Sequence, residues 1–282
     1  MTIEKREAVG YLKGEHEMSE RRACWAVEIS RTTYRYAPLD RGDGPIIDAL
    51  SQLAEKHSDL GFGKFFRLLR QAGHGWNHKR VHRVYCEMKL NKRRKYKRRV
   101  PPRNPDPLAV PEDANQSWSA DFMSDALSDG RRFRTFNVID DHRREALAIE
   151  VDLNLGSGRV VRVLDRIAEM RGYPSKIRFD NGPELTSIAV ADWAEANQVE
   201  LEFIRPGRPM QNGFIERFNR TYRQAVLDMY IFESLEEVRR LTAAWLDFYN
   251  ARRPHDALGG QPPRPDYLKE TSSVGISATS SR

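Results

Sequence analysis

Three acidic residues stand where chemistry at a phosphodiester would need them: Asp121, Asp180 and Glu216. Asp121 lies between Ala120 and Phe122, an acid set in an apolar and aromatic stretch. Asp180 closes the short run KIRF and precedes Asn181 and Gly182, a pair suited to shaping a tight turn. Glu216 lies within QNGFIERFNRTYR, a helical stretch. Displacement at phosphorus requires an activated water or 3′-hydroxyl and a stabilised leaving oxygen. Two divalent ions ~3.5 to 4 Å apart serve both needs, and hard carboxylate oxygens suit Mg²⁺ or Mn²⁺. The expectation is two ions per active site, with Asp121 bridging them and Asp180 and Glu216 on the flanks. Taken singly, each residue has an ordinary explanation: an exposed strand Asp, a turn-forming Asp, a solvated helix Glu. The case depends on their occurring together, in order, on suitable elements.

Those elements can be read from the hydrophobic pattern. From Trp118, the segments SWSADFMSDAL, RRFRTFNVIDDH and REALAIEVDL read as three successive strands, with a turn at Ser128-Asp129-Gly130. SGRVVRVLDRIAEMRG is an amphipathic helix presenting Val160, Val163, Leu164 and Ile167 on one face. A strand at KIRFD, a helix around SIAVADWAEANQ, a strand at VELEFI and a long helical stretch from Gln211 to about Tyr230 follow. This order predicts an α/β, RNase H-like core with a mixed five-stranded sheet. SLEEVRRLTAAWLDFYNARR is a further helix stopped by Pro254, and the Ser-rich end from Thr271 reads as disordered.

Upstream, the chain reads as helical. Residues 5–38 form short helices around a turn, with Ser19 and Ser30 as N-caps, and look helix-turn-helix-like. A second unit runs from about Gly44 to Leu90, with Gly73 ending one helix and Asn77 starting the next. Lys79, Arg80 and Arg83 on that last helix are candidate DNA contacts. From Lys89 to Arg103 there are nine basic residues and no acidic one, among them Lys92, Arg93, Arg94, Lys95, Lys97, Arg98 and Arg99. Such a run is either a solvated linker or a phosphate-binding segment, and its helical flanks favour nucleic acid. Five prolines in PPRNPDPLAVPEDANQ then impose an extended linker. The expected organisation is 1–40 and 41–92 as helical modules, 93–111 as linker, 112–230 as catalytic core, 231–269 as C-terminal helix and extension, and 270–282 as tail.

Composition sets outer bounds. Net charge is +7, and 39% of residues are hydrophobic, enough for a substantial core. No apolar run approaches the ~18 to 20 residues of a membrane span, and the N-terminus lacks a secretory pattern. The two cysteines, Cys24 and Cys86, provide no disulfide framework and suit a reducing cytoplasm. GFGK is not a phosphate-binding P-loop, so no dependence on ATP is expected. His78, His82 and Cys86 share a helical face at i, i+4, i+8; zinc is one explanation, with interhelical packing or DNA contact favoured.

Residues 112–268 resemble the integrase core of bacterial insertion-sequence transposases, specifically the second-frame (OrfB) product of the IS-three family. The resemblance rests on WSADFM, IRFDNGPEL and GRPMQNGFIERFNRTYRQAVLD, with 35 residues between Asp180 and Glu216. It extends through the YN, RPH and small-Gly-x-x-P pattern downstream. It implies a DDE transposase that cleaves element ends and transfers strands, working as a homo-oligomer on double-stranded DNA. Terminal inverted repeats and target DNA would be its substrates, with a first-frame (OrfA) protein or frameshift fusion as partner and a bacterial, nucleoid-associated location. Arg223 matches the basic position that follows the Glu in this family and would reach a DNA phosphate. Arg217, Asn219 and Arg220 are either DNA contacts or a solvated face; Gln211 and Asn212 either touch the DNA end or cap the helix. Trp118 is read as core. Upstream, GFGKFF departs from the family's usual Tyr-Gly-Tyr-Arg-Arg-like pattern. Two rivals stand beside this expectation: a nuclease that only hydrolyses, and a catalytically silent DNA-binding regulator or assembly partner.

Overall fold

In the computed structural model, residues 2–36, 41–92, 108–180, 182–204 and 209–265 are described. The chain divides into two compact units, Met1–Ile46 and Ile47–Arg282. In the first, helices α1 (Thr2–Glu15), α2 (Glu20–Ala26) and α3 (Arg31–Arg35) bury Val9, Ala23 and Cys24 together. Ser30 caps α3 by accepting the Thr33 N–H at 3.0 Å, whereas Ser19 makes no such bond at the start of α2.

Helix α4 (Gly44–Lys56) spans the boundary between the units. The second unit continues with α5 (Phe62–Gln71) and α6 (His78–Glu87). Gly73, at φ 88, turns the chain after α5, a conformation that favours glycine. The Asn77 side chain then accepts the Lys79 N–H at 2.8 Å, starting α6. This helical pair belongs to the same compact unit as the sheet. Asp59, in the α4–α5 turn, holds a buried ion pair with Arg253 at 2.8 Å, and His57 stacks on Phe248 at 3.9 Å.

The sheet has the order β3-β2-β1-β4-β5. Strands β1 (Ser117–Ala126), β2 (Arg132–Asp140) and β3 (Ala146–Asp152) are antiparallel; β4 (Lys176–Phe179) and β5 (Glu200–Phe203) run parallel to β1. Gly130, at φ 85, makes the β1–β2 turn. Helices α7 (Ser157–Arg171) and α8 (Ile188–Ala196) cover one face, packing Val160, Val163, Leu164 and Trp193 against Trp118, Ala120, Phe136 and Val138. Helices α9 (Gly213–Tyr222) and α10 (Leu235–Ala251) cover the other, placing Ile215, Phe218, Tyr222 and Trp245 against Phe133, Ile139 and Val151. Alternation along each strand explains the division, since successive side chains point to opposite faces. Trp118 is fully buried in the core, as its context implied. This is the mixed five-stranded, RNase H-like arrangement. Among the described residues, no helix is long and apolar enough to cross a membrane.

Candidate active site

On β1, Trp118, Ala120 and Phe122 belong to the α7/α8 face, whereas Met123 packs on the α9/α10 face. Asp121 therefore shares the latter face, directly opposite Asn137 in the β1–β2 register. The parallel β1–β4 pairing ends at Ser119 with Arg178. Asp121 and Asp180 each lie two residues beyond that pair, on neighbouring strands that run about 4.8 Å apart. Beyond Phe179 the Asp180 Oδ1 accepts the Gly182 N–H at 3.1 Å, which turns the chain and fixes the carboxylate. A Cβ on Gly182 would lie 3.1 Å from that same oxygen, so the turn leaves room only for glycine without displacement. Asn181 lies outside the described residues.

Glu216 rides on α9, which packs across β1 and β2 through Ile215, Phe218 and Tyr222. Its own side chain is exposed. Burial pushes the Asp121 carboxyl up to about 6, and the charges of Asp180 and Glu216 push in the same direction. The Phe122 N–H (2.7 Å) and Asn219 Nδ2 (2.8 Å) oppose the shift by donating to its oxygens. All three acids thus share one electrostatic neighbourhood. They are not drawn into a tight cluster: among the described residues, no three His, Cys, Asp or Glu side chains form a ready-made metal-binding group. Asp141 makes an instructive contrast. It too is buried, but Arg178 lies 3.3 Å away and Ser117 and Ser119 donate at 2.9 and 2.7 Å. Among the described residues, Asp121 has only neutral donors. Hard oxygen donors with uncompensated negative charge fit a divalent cation.

The candidate DNA contacts are scattered. Asn219 is only 7% exposed, and its amide is used inside the fold: Nδ2 donates to Asp121 and Oδ1 accepts from Asn137 Nδ2 at 2.7 Å. Arg223 is turned back on β1, donating to Asp125 at 3.0 Å and to the Ser124 carbonyl at 2.9 Å. Arg217 and Arg220 are exposed. Gln211 is half-buried; Asn212 is buried, occupies the N-cap position of α9 and makes no side-chain cap bond. Lys79 is exposed, Arg80 is half-buried, and Arg83 pairs with Glu87 at 3.1 Å. Lys92 donates to the Asp59 carbonyl. Arg93, Arg94, Lys95, Lys97, Arg98 and Arg99 lie outside the described residues. His78 and His82 pack edge-on against Phe62 at 5.0 and 4.6 Å, with the Cys86 sulfur 3.8 Å from the His82 ring, an arrangement that packs α6 on α5.

Two features escaped the sequence. Asn137 sits in a strand, RFRTFNVID, where it is one polar residue among several, yet its side chain meets Asn219 and it lies opposite Asp121. Arg134 pairs with Glu184, two residues beyond Gly182, and lies 4.2 Å above the Phe122 ring. No local signal marks either, because both depend on strand register.

Comparison with known proteins identifies the family. Two family models, each described as an integrase core domain, match residues 111–209 and 197–263, and an HTH-like domain model matches residues 43–98. An uncharacterized insertion element IS476 protein of Xanthomonas euvesicatoria is 40% identical over 92% of this chain and 75% of its own length. An uncharacterized IS407 protein of Burkholderia multivorans is 42% identical over 86% of this chain and 87% of its own. Among solved structures, the HTLV-2 integrase catalytic core in complex with magnesium aligns with a TM-score of 0.43 at 15% identity, over 53% of this chain and 93% of its own. The chain belongs to the integrase-core family of insertion-element transposases.

Proposed function

We propose that this transposase cuts a DNA strand at the end of its element and joins the freed 3′-hydroxyl to target DNA, using Asp121, Asp180 and Glu216 as one acidic centre. The observation that carries this reading is the placement of Asp121: a partly buried carboxylate beside Asp180, within the field of Glu216, and with no cationic hydrogen-bond donor among the described residues. Two Mg²⁺ or Mn²⁺ ions, when bound, would neutralise these carboxylates and polarise the scissile phosphodiester. Asp121, held in its rotamer by the Phe122 N–H and Asn219, would be one of the residues that hold them. Asp180, oriented by the Gly182 N–H, and Glu216, from the exposed side, would complete the set. Water or a 3′-hydroxyl displaces the 3′-oxygen of the scissile bond in each step. Strand transfer thus exchanges one phosphodiester for another and consumes no nucleoside triphosphate.

The partners follow from this chemistry. Terminal repeats and target are both double-stranded DNA. Lys79, Arg80, Arg83 and the basic run from Lys92 to Arg99 are the candidate readers of the repeat, and two ends must be held together by an oligomer. The first-frame product or a frameshift fusion would supply further DNA-binding surface. The test uses an oligonucleotide duplex with a pre-cut 3′-hydroxyl end, Mg²⁺ and a plasmid target. Joined product is expected. Hydrolysis of fresh ends without any joining would make the protein a nuclease and overturn the proposal.

A further inference from the structure

A cavity of about 390 Å³ opens on a side of α9 different from the one that carries Glu216. Phe214, Arg217 and Thr221 line it at one-turn spacing, whereas Glu216, Asn219 and Arg223 follow another stripe of the same helical stretch. The cavity is strongly cationic. Lys64 from α5, Arg144 from the β2–β3 turn, Arg217 and Arg253 line it, against a single acid, Asp256, among the described residues. That acid is already paired with Arg67 at 2.7 Å, and Arg253 with Asp59 at 2.8 Å. Arg144, held in a left-handed turn at φ 61, lays its guanidinium 3.5 Å above the Phe214 ring. Lys64 and Arg217 make no ion pair or side-chain hydrogen bond among the described residues. Burial, and then the charge of Arg253, holds the Lys64 ammonium below its ordinary range. Burial pushes the His255 imidazole down to about 3, with Arg253 and Lys64 acting in the same direction, and its buried Nε2 has no hydrogen-bond partner among the described residues. These groups crowd like charge around a concave space and leave donors unused.

We propose that this cavity binds a backbone phosphate of the DNA strand, at a position separate from the phosphodiester that meets the carboxylates. The assignment rests on the DNA-joining function proposed above. Arginine forks and a lysine match a phosphate's oxygens, and the Phe214 ring and Leu108 supply an apolar wall for the adjoining sugar. Nucleic acid is favoured as the source because Arg217 directly follows Glu216. A strand passing the carboxylates stays within about one helix diameter, ~10 to 12 Å, of the cavity. Leu108 at the rim also continues the chain from the basic linker, whose residues 93–107 include seven Lys or Arg.

The test uses the full chain and a double variant, Lys64→Gln with Arg217→Gln, which leaves the Arg253 and Arg144 contacts in place. Binding of a fluorescent duplex of arbitrary sequence is followed by anisotropy across a salt series without divalent metal. The double variant is expected to bind about tenfold more weakly, with the salt slope smaller by about one phosphate contact, while its melting temperature is no lower than that of wild type. The charge-retaining pair, Lys64→Arg with Arg217→Lys, is expected to restore binding. Equal affinity and slope in the double variant and wild type would overturn the proposal. Inorganic phosphate provides the other arm. If it raises the melting temperature of wild type alone while duplex binding is the same in both, the cavity takes free phosphate and the strand assignment fails. Joining of pre-cut ends is read separately. A wild-type protein that joins nothing defeats the function proposed above, whereas the salt slopes still decide the cavity.

Discussion

Folding partly buries Asp121, sets it in the field of Asp180 and Glu216, and, among the described residues, gives it only neutral hydrogen-bond donors. Its carboxyl holds a proton up to about pH 6 when folded, against an ordinary value of 3.8. Below the ordinary value both states are protonated and Asp121 costs nothing. As pH rises through the folded value the charge is forced on, and the native state loses up to roughly 3 kcal/mol. In metal-free buffer, Asp121→Asn should therefore raise the melting temperature near neutral pH and by much less near pH 4. Calorimetry at the two values checks this, and an equal gain at both, or a loss near neutrality, would contradict it. Gly182→Ala tests the neighbouring turn. The added Cβ, 3.1 Å from the Asp180 oxygen, should displace that carboxylate and slow joining by about tenfold with little change in stability. A variant that joins at the wild-type rate would show that the turn does not position Asp180. The candidate acids stand out in the sequence because an acid among apolar and aromatic residues, and one before Asn-Gly, break local pattern. The Asn137–Asn219 pair does not, because it exists only once α9 lies across β1 and β2. The same packing explains why Asn219, grouped in the sequence with Arg217 and Arg220, turns inward while they stay exposed.

Elements were more legible than contacts. Each strand and helix of the core appears in the order that the hydrophobic periodicity predicts, because periods of two and 3.6 survive in the sequence. The helix carrying Glu216 differs in detail. It was expected to run to about Tyr230, but the α-helix ends at Tyr222, and Arg223–Leu227 widen into a π turn as Arg223 reaches back to Asp125 and Ser124. A single π turn of five residues is too short for hydrophobic periodicity to reveal it. The YN pair near the end of α10 shows what a family motif does physically. Asn250, fully buried, accepts the Ala146 N–H at 2.9 Å and donates to the Ala146 carbonyl at 2.8 Å, acting as a strand partner for the sheet's outer strand β3. Asn250→Leu should leave both backbone groups unsatisfied and cost about 2 to 4 kcal/mol in chemical denaturation. A loss under about 0.5 kcal/mol would mean that the β3 edge does not depend on this clamp.

For the whole molecule, the sheet carries Asp121 and Asp180 on neighbouring strands, α9 carries Glu216 across it, and the basic segments lie elsewhere along the chain. Binding and chemistry should therefore separate. Chelating divalent metal with EDTA should abolish cleavage and joining yet leave the complex with duplex DNA largely intact by gel shift. Loss of the complex on chelation would place the metal in binding as well as catalysis. The central claim is that Asp121, Asp180 and Glu216 act as one centre. Its most direct measurement is single-turnover joining of a pre-cut end by Asp121→Asn, Asp180→Asn and Glu216→Gln, each matched to wild type in DNA binding. Each variant should join at least about a thousandfold more slowly, a barrier increase of about 4 kcal/mol. Near-normal joining by any one of them would remove that residue from the centre and contradict the account.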